Sequence, residues 1–221
     1  PQGHSTINAG GYAAIPFGDR YPPLAEFVSA YARDDRSLGL PQQSASPWRA
    51  ALETNLIALV SQFWAQHADS KVFFSNSGTE AIEAAIKFVK AARPKARHLI
   101  NFYGAYHGKT FGALALTPNP EYQEMFRPLM PNITTLPFGD SSALESAIRK
   151  LGARNVAAVF LEPIQGEAGV IVPPANFLRE VNAICKRHDI LIVADEIREL
   201  AHHGVRIFSP ADGQRMGLQG M

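Results

Sequence analysis

Apolar residues fall along this chain in two spacings, short continuous runs and longer stretches with a period near 3.6, and their alternation predicts the architecture. The runs His98–Phe102, Ile133–Leu136, Val156–Leu161 and Ile190–Ala194 read as strands, with a briefer one at Val72-Phe73-Phe74. Between them lie amphipathic helices. Thr79–Ala92 sets Ile82, Ala85, Ile86 and Val89 on one face, and Pro174–His188 does the same with Phe177, Leu178, Val181, Ile184 and Cys185. Asp140–Leu151 reads as a helix capped by Asp140 or Ser141 and stopped by Gly152. Upstream, Pro23–Arg33 reads as a short helix. Trp48–His67 reads as a longer one, started by Pro47 and carrying Leu52, Leu56, Ile57, Val60, Phe63 and Trp64. Apolar strands separated by helices predict an α/β fold, a mainly parallel sheet with helices on both faces.

The texture divides the chain. Residues 1–47 are rich in Gly, Pro, Ser and Ala and form a partial N-terminal segment, 48–197 carry the strand–helix series, and after Glu196 the pattern fades into a divergent tail, 198–221. Ligands of parallel sheets collect at the carboxyl ends of strands, which directs attention to the loops after Phe74, Phe102, Leu161 and Ala194.

Composition removes several classes. With 21 Lys+Arg against 20 Asp+Glu in 221 residues, the net charge of +1 gives no footprint for nucleic acid or an acidic membrane. The longest clean apolar run, Val156–Leu161, is too short to span a bilayer. No signal-peptide pattern is visible, so a cytoplasmic location is expected, although the start at Pro1 suggests a missing N-terminal portion. The single Cys185 forbids an internal disulfide, and His202-His203 lacks a third ligand in register, so no metal site is expected. The charged fraction, 19%, falls below the usual level, as when surface is covered by a partner.

Four loops carry candidate chemistry. Ser75-Asn76-Ser77-Gly78-Thr79-Glu80 joins a strand to a helix: Gly78 allows close approach, Ser77 and Thr79 add hydroxyls, and the helix start faces its N–H groups toward an anion. An ordinary helix cap is the alternative. Tyr106-His107, between Gly104 and Gly108, suits a flat ring stacking on Tyr106, or simple loop packing. Glu162 and Glu167 follow the most apolar strand, where carboxylates must be paired or act on something. Asp195 emerges where the last strand ends, either as a capping residue or as the counterion of a protonated pyridine nitrogen.

In this order the pieces resemble the class III aminotransferases of fold type I, the ornithine, acetylornithine and 4-aminobutyrate type, which use pyridoxal 5'-phosphate (PLP). Ser75–Ala81 (SNSGTEA), Tyr106–Thr110 (YHGKT), Leu161–Gly169 (LEPIQGEAG) and Ala194–Ile197 (ADEI) look like the family's signatures, within a match from about Lys71 to Ile197. The resemblance implies that Gly78 and Thr79, with Ser77, hold the cofactor phosphate. It places Tyr106 and Ile197 on the two ring faces, His107 and Glu162 in the same pocket, and Asp195 on the ring nitrogen. Glu167 resembles the family's gating glutamate on the substrate side. The implied reaction moves an amino group from a diamine or ω-amino acid to a 2-oxo acid, in a homodimer. The sequence departs from the family at Arg198, where Gln is usual, and the family's Schiff-base lysine lies beyond Met221, so an inactive fragment is expected. None of Lys87, Lys90, Lys109 and Lys186 is a suitable substitute. The alternative is a non-catalytic remnant that binds a phosphorylated ligand or pairs with an intact subunit.

Overall fold

The computed structural model describes residue 18 and residues 20–34, 46–62 and 65–197. The expectations for Phe63, Trp64, Arg198, His202 and His203 lie outside the described residues. The chain forms two compact units, one comprising the described residues up to Val72 and the other those from Phe73 onward.

The first unit holds α1 (Pro22–Arg33) and α2 (Pro47–Ser61), each opened by a proline whose fixed φ suits a first turn. Ser46 caps α2 by accepting the Arg49 N–H. The ring of Trp48 on α2 meets Phe27 and Tyr31 of α1 edge-on, at 5.6 and 6.4 Å between centroids. The longer helix expected to His67 stops at Ser61, followed by a 3₁₀ turn at Ala65–His67. The Ser61 hydroxyl donates to the Ile57 carbonyl at 2.6 Å, competing with the helical ladder at the point where it ends.

The second unit is built on a four-stranded, wholly parallel sheet in the order β2-β1-β3-β4, with β1 at His98–Phe102, β2 at Ile133–Leu136, β3 at Val156–Leu161 and β4 at Leu191–Ala194. These strands match expectation within one residue. Helices α3 (Gly78–Ala92), α4 (Phe111–Ala115), α5 (Pro120–Gln123), α6 (Ser141–Leu151) and α7 (Phe177–His188) accompany it. Every residue of β3 is buried, which explains its unbroken apolar run. Ile82, Ile86 and Val89 of α3 pack with Leu99, Leu116 and Phe160. Phe102, three residues on from Leu99 and so turned to the opposite face, packs edge-on against Phe177 of α7 at 5.4 Å. Both faces are covered.

The structure departs from expectation at two further points. Val72-Phe73-Phe74 is not a strand: no described strand runs beside it to complete a ladder, and Phe73 stays exposed, edge-on to Phe88 of α3. Helix α7 begins at Phe177 rather than Pro174, because the Pro174 carbonyl first closes a turn by accepting the Phe177 N–H. The short helices α4 and α5 carry too few residues for a periodic signal.

Strand order places the site. The chain leaves β1 for β2 on one side, then returns to β3 on the other and continues to β4. The reversal falls between β1 and β3, where the loops from the two carboxyl ends part and leave a crevice.

Candidate functional site

At that reversal the loop after β1 meets the loop after β3. The backbone N–H of Tyr106 donates to Glu162 Oε1 at 2.8 Å, and the N–H of Gly166 donates to Glu162 Oε2 at 3.0 Å. Glu162 is buried, and desolvation is the main force on it, raising its carboxyl above the ordinary value. The Gly166 and Tyr106 amides and His107 pull the other way, while neighbouring Asp195 adds to the rise. Two directed amides make Glu162 a brace between loops, not half of an ion pair.

The two glutamates differ in burial. Gln165 and Ile171 exchange backbone hydrogen bonds at 3.0 and 2.8 Å, and the turn between them carries Glu167 out to an exposed position. There Glu167 lines a cavity of about 220 Å³ with Tyr106, Asn119 and Tyr122. The Tyr106 and Tyr122 rings meet edge-on at 6.3 Å between centroids, and the Lys109 amine lies over the Tyr122 ring, 3.9 Å from its centroid.

Asp195 follows β4 directly, its N–H donating to the Leu161 carbonyl at 2.8 Å, so its position is tied to the end of β3. Its Oδ2 accepts from His107 Nδ1 at 2.8 Å, and its Oδ1 accepts the Ile197 N–H at 3.3 Å. The His107 side chain is fully buried, and its Nε2 has no hydrogen-bond partner. Because a carboxylate only accepts, Nδ1 carries the hydrogen, which fixes the orientation of the ring. The His107 backbone N–H donates to Thr117 Oγ1 at 2.9 Å, a buried hydroxyl that in turn bonds the Gly108 carbonyl at 3.0 Å.

The first turn of α3 lies against these loops. Ser77 is its N-cap, accepting the Glu80 N–H at 3.3 Å, while Glu80 reaches back to the Asn76 N–H at 2.7 Å. The cap is thus real, and it leaves two amides over: those of Gly78 and Thr79 meet no acceptor among the described residues. A Cβ at Gly78 would come within 2.8 Å of Ile197 Cδ1, so the turn packs directly against the side chain of Ile197, just past the end of β4. The Thr79 hydroxyl lies 2.8 Å from that of Thr110.

Ser77, Gly78, Thr79, Tyr106, His107, Glu162, Asp195 and Ile197 are thereby linked through direct contacts at the carboxyl edge of the sheet. Glu167 shares with Tyr106 the lining of the neighbouring cavity. Sequence reasoning passed over Glu83, Thr110, Thr117 and Tyr122. Thr110 lies inside the YHGKT segment, which carried no role for it. Glu83 stands one helical turn after Thr79, and that spacing was the available signal. No cluster of His, Cys, Asp or Glu among the described residues could hold a metal ion.

Comparison with known proteins gives these contacts a context. The model of the family "Aminotransferase class-III" matches residues 4–199. An acetylornithine aminotransferase of Methanopyrus kandleri is 46% identical over 129 residues, 58% of this chain and 32% of the relative. A putrescine aminotransferase of Pectobacterium atrosepticum is 39% identical over 204 residues, 89% of this chain and 42% of the relative. Among solved structures, an amine transaminase from an uncultivated Pseudomonas species in its PLP-bound form is 27% identical with a TM-score of 0.69. That match covers 80% of this chain and 44% of the other. An aminotransferase from Vibrio fluvialis in its PMP-bound form is 25% identical with a TM-score of 0.70, covering 80% and 43%. The chain spans less than half the length of each of these relatives. With all of its described residues inside the family match, the chain belongs to the class-III aminotransferases.

Proposed function

We propose that the protein carrying these residues is a PLP-dependent aminotransferase that moves the terminal amino group of a diamine or ω-amino acid to a 2-oxo acid such as 2-oxoglutarate. The observation that carries this reading is the contact of Gly78 with Ile197, two residues beyond Asp195. It brings an anion-holding turn and a buried carboxylate into one site, as a ligand with phosphate at one end and a pyridine nitrogen at the other requires. The amino-donor class rests on the resemblance to ornithine, acetylornithine and 4-aminobutyrate enzymes, and a putrescine aminotransferase among the relatives supports it.

The donors present fit that ligand. The amides of Gly78 and Thr79, which meet no acceptor among the described residues, open a 15-residue helix, whose macrodipole favours negative charge at that end. Ser77 accepts at its oxygen and keeps its proton to donate. Asp195, oriented by His107, retains acceptor capacity for a ring N–H. When bound, PLP supplies the carbonyl that takes up the amino group and a ring that draws electrons from the carbon losing its proton.

This chain's residues bind and orient. Gly78, Thr79 and Ser77 hold the phosphate; Tyr106 and Ile197 confine the ring; Asp195 keeps the proton on the ring nitrogen, and His107 holds Asp195 in place. Glu162 fixes the loop bearing Tyr106 by receiving its amide. Glu167, on the cavity beside Tyr106, serves the substrate side. The exposed apolar run Val170, Ile171 and Val172 and the low charged fraction support burial against a second copy.

The test is glutamate formation by the full-length protein, supplied with PLP and 2-oxoglutarate, from putrescine, ornithine or 4-aminobutyrate. Amine-dependent glutamate is expected with at least one of them. PLP bound without glutamate from any amine would favour a binding remnant and overturn the reading.

A further inference from the structure

The hydroxyl of Thr79 is already committed, and the commitment has a direction. Glu83 Oε1 receives the Thr110 hydroxyl at 2.6 Å, the Gly112 N–H at 2.7 Å and the Ala113 N–H at 3.1 Å. Thr110 has one hydroxyl proton, and it goes to the carboxylate. In the 2.8 Å contact between Thr110 and Thr79, Thr79 must therefore be the donor. Its oxygen also accepts the Thr110 N–H at 3.4 Å, a long contact. Thr79 has no proton left for an anion; its lone pairs would repel one. Close packing holds the chain of hydroxyls in place. A Cβ at Gly108 would overlap the Thr79 hydroxyl, and one at Gly112 would lie 2.5 Å from Glu83 Oε2.

We propose that Glu83 and Thr110 are positioning residues for the phosphate end of the site: the ordered chain Thr79→Thr110→Glu83 locks the first turn of α3 to the loop after β1, so that the anion is met by the main-chain N–H groups of Gly78 and Thr79 and not by the Thr79 hydroxyl. This rests on the PLP reading above. The same chain joins the two ends of the site, since Gly108 directly follows His107, the residue that holds Asp195. A purely structural Glu83, capping the start of α4, would serve every ligand of the site alike.

The experiment uses the full-length protein with two probes, PLP and pyridoxal, which lacks the phosphate. Thr110→Val and Thr79→Val should each weaken PLP about tenfold and leave pyridoxal within about twofold. The double variant should be no weaker than about tenfold, because both substitutions break one chain. Glu83→Ala should reproduce the selective loss. Glu83→Gln, whose amide oxygen keeps all three acceptor contacts, should stay within about twofold of the parent. A loss in Glu83→Gln as large as in Glu83→Ala overturns the acceptor assignment. Unchanged PLP affinity in Thr110→Val, additive losses of about a hundredfold in the double variant, or equal loss of both probes overturns the proposal while leaving the site intact. A parent protein that binds neither probe overturns the PLP reading itself.

Discussion

Replacing Gly108 with Ala tests whether the loop after β1 is locked to α3. Gly108 has φ +120, a conformation L side chains rarely adopt. A Cβ there would overlap the Thr79 hydroxyl and lie 2.5 Å from Thr79 Cβ and 3.1 Å from Thr79 Cα. The last atom is backbone in the first turn of a helix and cannot swing aside. Backbone strain of this kind costs about 1–3 kcal/mol, and overpacking costs about 1–3 kcal/mol more. The expected loss is about 2–6 kcal/mol, a large share of the roughly 5–15 kcal/mol that holds a domain folded. Gly78→Ala is the control within the same site. Its Cβ would meet only Cδ1 and Cγ1 of Ile197, at 2.8 and 3.1 Å, on a side chain 57% exposed and free to rotate. Alanine also suits a helical position better than glycine, by up to about 1 kcal/mol. Urea unfolding followed by far-UV circular dichroism should show a sharp fall for Gly108→Ala and a change within about 1 kcal/mol for Gly78→Ala. Equal stabilities for the two variants, or a neutral Gly108→Ala, would refute the packing argument.

Three further outcomes are expected. Asp195→Asn removes a charged acceptor from a contact whose side chains are 0% and 8% exposed, and should cost about 1–3 kcal/mol in the same assay; transamination by the full-length protein should fall about a hundredfold, and retained activity would place the ring nitrogen elsewhere. Burial raises the Glu162 carboxyl, so the folded state holds its proton more tightly than the unfolded chain. That contribution to stability is present at acid pH and is lost as pH rises from near 4.5 through the raised folded value. Glu162→Gln should lack this fall, so the stability of the parent relative to the variant should decrease as pH rises through that window; parallel curves would show that the buried carboxyl is not perturbed. Burial pushes the Cys185 thiol up to about 12, so a thiol reagent at pH 8 should label it only after unfolding, and rapid labelling of the native protein would contradict its burial.

The fold was legible wherever burial imposed a period. β3 is buried at every position and showed an unbroken apolar run, and α3 and α7 each bury one face and displayed it at helical spacing. Val72-Phe73-Phe74 misled because β-branched and aromatic residues favour a strand only when a neighbour completes the ladder, and a local run carries no information about that neighbour. The separate surroundings of Glu162 and Glu167 were illegible for a related reason. Two carboxylates five positions apart diverge once Gln165 and Ile171 close a turn between them. His107 and Asp195 lie 88 positions apart and meet through strand order, which no local window reports. Glu83 and Thr110 escaped notice because their roles are hydrogen bonds across two elements, and a polar residue on a helix reads as solvated until its partner is known.

The most direct test of the central claim is a crystal structure of the full-length protein with PLP bound. The phosphate oxygens should lie within about 3.2 Å of the Gly78 and Thr79 amide nitrogens, with the pyridine nitrogen at hydrogen-bond distance from Asp195. A phosphate held elsewhere, or a ring nitrogen facing away from Asp195 while the phosphate sits on α3, would contradict the claim that these two features form one site.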